Sequence, residues 1–145
     1  MWIERLISSR CTDALELAAR FAEQRHNVLA ENVANIETPD YATKRLDREA
    51  FQRTLADALQ RAKESGENRL ELRGEAQVST TADGQMVTKP VTEPAQNILF
   101  HDGRNASLET LMTEVQKNSL DYQLATTLLS KRFAGLLAAI KGRNA

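Results

Sequence analysis

The sequence is short of the residues that build disulfides, tight turns and large aromatic cores. Of its 145 residues, one is cysteine, three are proline and six are glycine, and aromatic residues make up only 5%. The single cysteine, Cys11, excludes a disulfide within the chain. With so few large side chains, the composition favours extended helices that pack through leucine and alanine over a compact globule.

An excess of one charge and long apolar runs are also lacking. Nineteen basic residues balance twenty acidic ones, for a net charge of −1, so the chain has no basic field that would bind the phosphates of nucleic acid. No apolar run approaches the roughly 18 residues that a membrane span needs. The opening MWIERLISSRC is too short and too polar for a secretory signal, and we expect none.

The N-terminal segment, residues 1–38, carries a helical pattern from about Thr12 to Ile36. Apolar residues recur there at three- and four-residue steps and form a broad stripe, rich in alanine and interrupted by Arg25. Thr12 or Asp13 is the expected N-cap, since both side chains can accept a hydrogen bond from an amide of the first turn.

This helix is expected to end in the stretch ENVANIETPDYATKR, without a glycine at its end. Pro39 has no amide proton and disfavours a helical Thr38, so the helix must end before it. Asn35 is expected to adopt the left-handed cap conformation that glycine usually takes. Asp40 is expected in the turn that follows, because aspartate tolerates turn geometry better than most residues.

The middle segment, residues 39–105, holds all three prolines and most of the glycines. Apolar residues at helical steps predict a short helix at about 48–64, which Gly66 would end. Asp83 and Gly84 form a hairpin signal between two weakly β-prone runs. We therefore expect a short helix followed by irregular or weakly β structure.

The C-terminal segment, residues 106–145, predicts one long helix from Ser107 to about Lys141. Ser107 is the expected N-cap, without the acidic partner of a capping box, and Gly142 ends the pattern. Apolar residues keep a spacing of three or four over more than four turns.

Together the segments predict a mainly α fold in which the long N- and C-terminal helices pair as an antiparallel coiled coil. One such pair leaves much apolar surface uncovered. Two alternatives stay open: the apolar stripes continue into other chains, or the chain is a small bundle with a helix at residues 51–62 as its third member.

Residues that carry catalysis or bind metals form no recognisable group in the sequence. His26 and His101 have no acidic or cysteine neighbour at metal-ligand spacing, and Cys11 has no catalytic signature around it. There is no glycine-rich phosphate loop, and the carboxylates are mixed with basic residues as on a solvated helix face. We therefore predict no enzyme activity, cofactor, metal or small-molecule ligand.

Asparagines interrupt both apolar stripes: Asn32 and Asn35 in the first, and Asn118, followed by Ser119, in the second. One interpretation is that these are ordinary polar residues that face solvent. We favour polar spacers at helix seams, which fix register and partner at a cost in stability. Register matters most where many copies must stack in the same way.

The stretch VLAENVANIETPDY, residues 28–41, resembles the N-terminal signature of the bacterial flagellar rod, hook and related axial proteins. That signature reads approximately Leu-x-x-Asn-(Ile/Val)-Ala-Asn-x-x-Thr-Pro-Gly-Tyr. The matching positions are Leu29, Asn32, Val33, Ala34, Asn35, Thr38, Pro39 and Tyr41. Asp40 stands where the signature has glycine.

The C-terminal helix is similar to that of the proximal-rod members of the same family, and the chain lacks the large inserted domains of hook and distal-rod proteins. This likeness is carried by Asn118, Leu120, Tyr122, Gln123, Leu128, Leu129, Ser130, Lys131, Phe133 and Ile140. The resemblance covers about residues 12–46 and 102–142.

The resemblance implies a structural subunit that polymerises through its paired terminal helices into the rod, the drive shaft of the flagellar basal body. It implies export from the cytoplasm by the flagellar type III apparatus and assembly in the periplasm. The implied partners are other rod subunits and further copies of this chain, the basal-body adaptor protein FliE and the flagellar export gate. It carries over no catalytic residue and no cofactor.

The residues expected to act in assembly and helix pairing lie on the two stripes. They are Phe21, Val28, Leu29, Asn32, Val33, Asn35, Ile36, Leu111, Val115, Tyr122, Leu129, Phe133, Leu136 and Ile140. The turn motif comprises Thr38, Pro39, Asp40 and Tyr41.

An isolated subunit is expected to be only partly ordered, because its stripes lack partners. The competing hypothesis is a soluble helical adaptor or export chaperone that binds a partner helix in its apolar stripe.

Overall fold

The computed structural model describes residues 9–73, 77–92 and 108–142, which contain three helices and four short strands. In chain order they are α1 (Arg10–Ala34), β1 (Lys44–Arg45), α2 (Arg48–Ser65), β2 (Val78–Thr80), β3 (Met86–Thr88), β4 (Val91–Thr92) and α3 (Leu108–Ile140). The fold is mainly α, as predicted. The expected Ser107 cap and His101 lie outside the described residues. Within these ranges, no helix joins the length and the apolar composition that a membrane span requires.

α1 begins two residues before the predicted start, and its N-cap is Ser9, so the prediction of Thr12 or Asp13 was wrong. The Ser9 hydroxyl accepts a hydrogen bond from the Thr12 amide at 3.3 Å. Thr12 is thus inside the first turn, where free amides need a cap. Because serine, threonine and aspartate all favour caps, the residue types alone did not rank these positions.

α1 and α3 lie side by side in opposite directions. Asn118 Nδ2 donates to Ala22 O at 2.7 Å, and Arg132 Nη2 donates to the Ser9 hydroxyl at 3.3 Å. Of these two contacts, the one nearer the C-terminus of α3 is also the one nearer the N-terminus of α1. The predicted antiparallel pairing of the two long helices is therefore confirmed.

The middle segment forms the short helix and the weak β structure that the sequence predicts. Asp47 caps α2 by accepting from the amides of Glu49 and Ala50, at 2.8 and 3.0 Å. Gly66 ends α2 with a φ of 75°. β2 and β3 form an antiparallel hairpin that turns through Gly84, and β1 pairs antiparallel with β4.

α1 packs against the middle segment with a second face. Phe21 and Phe51 stack with their ring centroids 4.0 Å apart. They belong to one apolar core of buried residues: Leu17, Phe21, Val28, Leu46, Phe51, Ala58, Ala62, Leu70, Leu72 and Val78. All of these precede α3 in the chain. α2 thus packs on α1 as the bundle alternative required. α3 adds no residue to this cluster, and Leu111 and Ala125, its buried apolar residues, lie outside it.

Candidate assembly surfaces

The chain leaves α1 through a tight turn that is formed by the predicted turn motif. Tyr41 N donates to Thr38 O at 3.3 Å, which makes Pro39 the second and Asp40 the third residue of the turn. Asp40 has a φ of 58°. Proline second and a positive φ third are the pattern of a type II turn. Glycine is favoured at that third position because it has no Cβ, which accounts for the glycine of the family signature.

The left-handed residue after α1 is Asp40, so the prediction that Asn35 would adopt this conformation was wrong. Asn35 has a φ of −105° and a ψ of 10°. Its backbone N–H donates to Glu31 O at 3.1 Å, and its side-chain Nδ2 donates to the same oxygen at 2.8 Å. The Glu31 carbonyl therefore accepts two hydrogen bonds from Asn35 without Asn35 becoming left-handed. The left-handed residue, Asp40, follows five positions later.

Asn32 fastens the strand after the turn to the helix before it. Its Nδ2 donates to Lys44 O at 2.7 Å, and its Oδ1 accepts from Lys44 N at 2.9 Å and from the Tyr41 hydroxyl at 3.1 Å. Asn32 is only 3% exposed, so each of these groups would be costly to leave unpaired. The partners lie in the turn, at Tyr41, and in β1, at Lys44. Asn32 thus acts at the junction of helix, turn and strand.

Asn118 and Arg25 make buried polar contacts between α1 and α3. The Asn118 side chain, 2% exposed, holds the Ala22 carbonyl described above. Arg25, 7% exposed, pairs with Glu114 and also donates from Nε to Leu46 O at 3.3 Å. Asn118 therefore occupies the helix seam that its place in the stripe predicted.

A second ion pair joins α3 to the start of α2. Arg48 Nη2 lies 2.8 Å from Asp121 Oδ1. We use the term polar seam for Arg25, Arg48, Glu114, Asn118 and Asp121. Among the described residues, Arg25 Nη1 and Arg48 Nε are buried without a hydrogen-bond partner. The polar seam is therefore held by specific contacts but is not fully satisfied.

The charge of Glu114 is maintained by its neighbours. Burial by itself would raise the pKa of this carboxyl, but the hydrogen bond and the charge of Arg25, together with Lys117, hold the pKa below its ordinary value of 4.5. In the sequence Arg25 looked like an interruption of an apolar stripe. A charged residue at such a position signals a buried partner, but the partner here is 89 residues away.

The structure divides the predicted assembly residues by exposure. The buried ones are Phe21, Val28, Leu29, Asn32 and Leu111. The half-buried ones are Val33, Asn35, Ile36, Val115, Leu129 and Leu136. The exposed ones are Tyr122, Phe133 and Ile140. In the turn, Thr38, Pro39 and Asp40 are exposed and Tyr41 is half-buried.

α3 exposes most of its large apolar side chains. Nine of the eleven large apolar residues exposed in the described ranges belong to it: Leu108, Met112, Leu120, Tyr122, Leu124, Leu128, Phe133, Leu137 and Ile140. At 3.6 residues per turn, Leu120, Leu124 and Leu128 form one row, and the other six lie together on a different side. An exposed apolar surface of this kind marks a site for another protein.

The described residues provide no grouping that suits a metal or catalysis. No three His, Cys, Asp or Glu side chains among them are placed to hold a metal ion. A surface groove beside α2 is lined by equal numbers of arginines and glutamates: Arg61, Arg69, Arg73, Glu64, Glu67 and Glu71. Its charges cancel, so the groove does not select an anion or a cation.

Comparison with known proteins finds relatives that share one description, flagellar basal body rod protein FlgB. The protein of Salmonella typhimurium is 27% identical over 146 residues, which cover 91% of this chain and 99% of the relative. That of Cereibacter sphaeroides is 32% identical over 121 residues, or 83% of this chain and 85% of the relative. That of Escherichia coli is 28% identical over 145 residues, or 91% and 99%. No family model matches the sequence.

Proposed function

The chain belongs to the FlgB family of flagellar basal body rod proteins, and on that premise we propose that it polymerises into the proximal rod through its two terminal helices. Membership makes it a structural protein of the flagellar basal body. In the assembled rod, residues 1–38 and 106–145 supply the paired helices, and residues 39–105 form the outer segment. The exposed apolar surface of α3 is the observation that supports this most.

An open polymer requires a surface on one copy that binds a different surface on the next. α3 offers such a surface, since Leu120 and Leu124 are 65% and 61% exposed in the subunit. Burying one such leucine contributes about 1.5–3 kcal/mol before entropy costs. A row of such residues in one contact would stabilise a tube that transmits torque.

The centre of α3 also carries little charge that would oppose its burial. Between Asn118 and Ser130 the only charged residue is Asp121, and Asp121 is paired with Arg48 within the subunit. A helix without free charge around its circumference is typical of one that is covered on several sides. Neighbouring subunits on both apolar rows would provide that cover.

The predicted assembly residues take two roles in this arrangement. Tyr122, Phe133 and Ile140 are exposed and would contact neighbouring subunits. Leu29 and Leu111 are buried and would hold the helix pair together inside each subunit.

The wider partners rest on the family resemblance. The subunit would pass through the flagellar type III apparatus, assemble in the periplasm, and contact the export gate and the adaptor protein FliE at one end and other rod subunits at the other. Ordering that completes only on assembly suits such export, because the chain must pass the channel unfolded.

Exposed positions give the clearest test, because a charge placed there leaves the subunit fold intact. Phe133→Asp and Ile140→Asp should abolish incorporation into the rod, and therefore swimming, while the purified variants keep the circular dichroism of the wild type. Gln52→Asp is the control, at an exposed polar position of α2 in the outer segment, and should support swimming. Leu129→Asp should also abolish incorporation, but this half-buried position affects the subunit as well.

Purified basal bodies that contain both the Phe133→Asp and the Ile140→Asp variants at wild-type amounts would exclude this surface from assembly. A wild-type chain that stays in the cytosol as a monomer or dimer, and is missing from purified basal bodies, would instead favour the soluble adaptor or export chaperone.

A further inference from the structure

The residues by which α3 faces the rest of the subunit follow a regular spacing. Leu111, Glu114, Asn118, Asp121 and Ala125 are separated by three, four, three and four positions, which places them along one side of the helix. The two at the ends are apolar and buried. The three in the middle are polar, and each bonds a group on α1 or at the start of α2.

This distribution is the reverse of what stability alone would favour. Three polar residues at the centre of α3 face inward, while Leu120 and Leu124 face outward at 65% and 61% exposure. The Arg25 side chain is only 9% exposed, and a charge taken out of water loses hydration that the attraction of its partner does not fully return. The unpartnered Arg25 Nη1 and Arg48 Nε atoms add to that cost.

The two ion pairs and the Asn118 hydrogen bond favour one arrangement of α3 on α1 over all others. α3 carries apolar rows on other sides, so a rotated or shifted helix would still bury leucines against α1. In such an arrangement Arg25 and Arg48 would lose both carboxylates, and Asn118 would lose the Ala22 carbonyl. A buried charge without its partner is strongly destabilising, so the competing arrangements are penalised more than the native one.

We infer that the polar seam sets the register and the face by which α3 docks on α1, and thereby keeps the apolar rows of α3 turned outward. A single buried polar residue can determine register in helix pairs at a cost in stability. Here two ion pairs and one amide perform that task within the subunit. The inference concerns the single chain and holds whether or not the chain polymerises.

The native Cys11 allows the register to be measured directly. Cys11 is exposed near the start of α1. The hydrogen bond from Asn118 to the Ala22 carbonyl places Gln116, an exposed residue of α3, more than ten residues along α1 from Cys11. Spin labels on Cys11 and on Gln116→Cys, in full-length chains diluted with unlabelled protein, report the distance by pulsed electron resonance. The wild-type seam should give one narrow distance. Because the two labels are separated mainly along the helix axis, slipping by one helical turn would change this distance by about 5 Å.

A variant with an apolar seam, Arg25→Met with Glu114→Leu and Asn118→Leu, should keep the helix content of the wild type. Its distances between the two labels should be broadened, or should shift by the length of one or more helical turns.

A charge exchange provides a second test that does not depend on core packing. Arg48→Asp alone should broaden the distribution, and Arg48→Asp with Asp121→Arg should narrow it again.

The matched control exchanges Glu16 and Arg20, an exposed pair on α1 with 2.6 Å between Oε1 and Nη2. Glu16→Arg with Arg20→Glu should leave the distance unchanged. A folded apolar-seam variant with the single narrow wild-type distance would overturn the inference. So would a distance that Arg48→Asp leaves unchanged.

Discussion

Asn32 and Lys44 are joined by two hydrogen bonds in which a side chain takes the place of a peptide group. The carboxamide donates to Lys44 O at 2.7 Å and accepts from Lys44 N at 2.9 Å. It offers the same donor and acceptor as a backbone amide, so α1 can hold β1 although its own backbone bonds are used within the helix. The asparagine of the turn signature is thus a structural residue of the junction.

Asn32→Ala should lower the free energy of unfolding by about 1–3 kcal/mol, because partly buried groups of Lys44 and Tyr41 would lose their partner. Urea denaturation of the purified chain measures the loss. Asn27→Ala, at an exposed position of the same helix, is the control and should stay within about 0.5 kcal/mol of the wild type. Equally small losses for the two variants would show that Asn32 does not hold the junction.

Asp40→Gly should stabilise the chain. A left-handed conformation costs a non-glycine residue about 1–2 kcal/mol, and the extra freedom of glycine in the unfolded chain removes about 0.5–1 kcal/mol of the gain. A rise in the thermal midpoint is therefore expected. Among the described non-glycine residues, Asp40 alone has a positive φ, so Glu37→Gly is a control that should lower the midpoint. A lower midpoint for Asp40→Gly would contradict the strain assigned to this turn.

The ion pair of Glu114 should make stability depend on pH. The pKa of Glu114 is lower in the folded chain than its ordinary value of 4.5, so its contribution is fully present above that value and is lost as the pH falls through the folded pKa. The difference in stability between wild type and Glu114→Gln should be constant near neutrality and shrink below about pH 4.5. Denaturation curves at several pH values measure it, and a difference that does not change with pH would argue against the ion pair.

The three helices should differ in protection from hydrogen exchange. α1 and α2 share the apolar core around Phe21 and Phe51. α3 docks through the polar seam with only Leu111 and Ala125 as buried apolar residues, and most of its large apolar side chains are exposed. Since local opening is easiest where little apolar surface is buried, amides of α3 should exchange before those of α1 and α2 in the isolated subunit. Mass spectrometry of exchanged peptides reads this order, and equal protection of all three helices would refute it.

The sequence predicted the helices better than their contacts. The spacing of apolar residues located both long helices and the short one, since that spacing is a property of the local chain. It did not distinguish the side of α1 that meets α2 from the side that meets α3. Arg25 shows why, because an arginine in an apolar stripe is explained only by Glu114 and Leu46, which lie far away along the chain.

In the turn after α1, too, the sequence predicted the position of an element but not the contacts within it. Pro39 and Thr38 predicted where the helix must end, because the restriction acts through neighbouring atoms. The sequence did not predict which residue becomes left-handed. That outcome depended on the hydrogen bond that the Asn35 side chain donates to Glu31 O. That hydrogen bond is not visible in residue preferences, and Asp40 takes the positive φ instead.

By itself, the sequence determined the mainly α fold, the approximate extent of the three helices and the turn motif that relates the chain to flagellar axial proteins. These depend on local sterics, on helical periodicity and on hydrogen bonds between near neighbours. The tertiary structure alone decided that charged and amide groups lie at the centre of the face by which α3 meets the fold, while Leu120, Leu124 and Leu128 stay exposed. That choice depends on Arg25 and Arg48 meeting carboxylates many turns away along the chain, and burial of a charge is favourable only where such a partner is present.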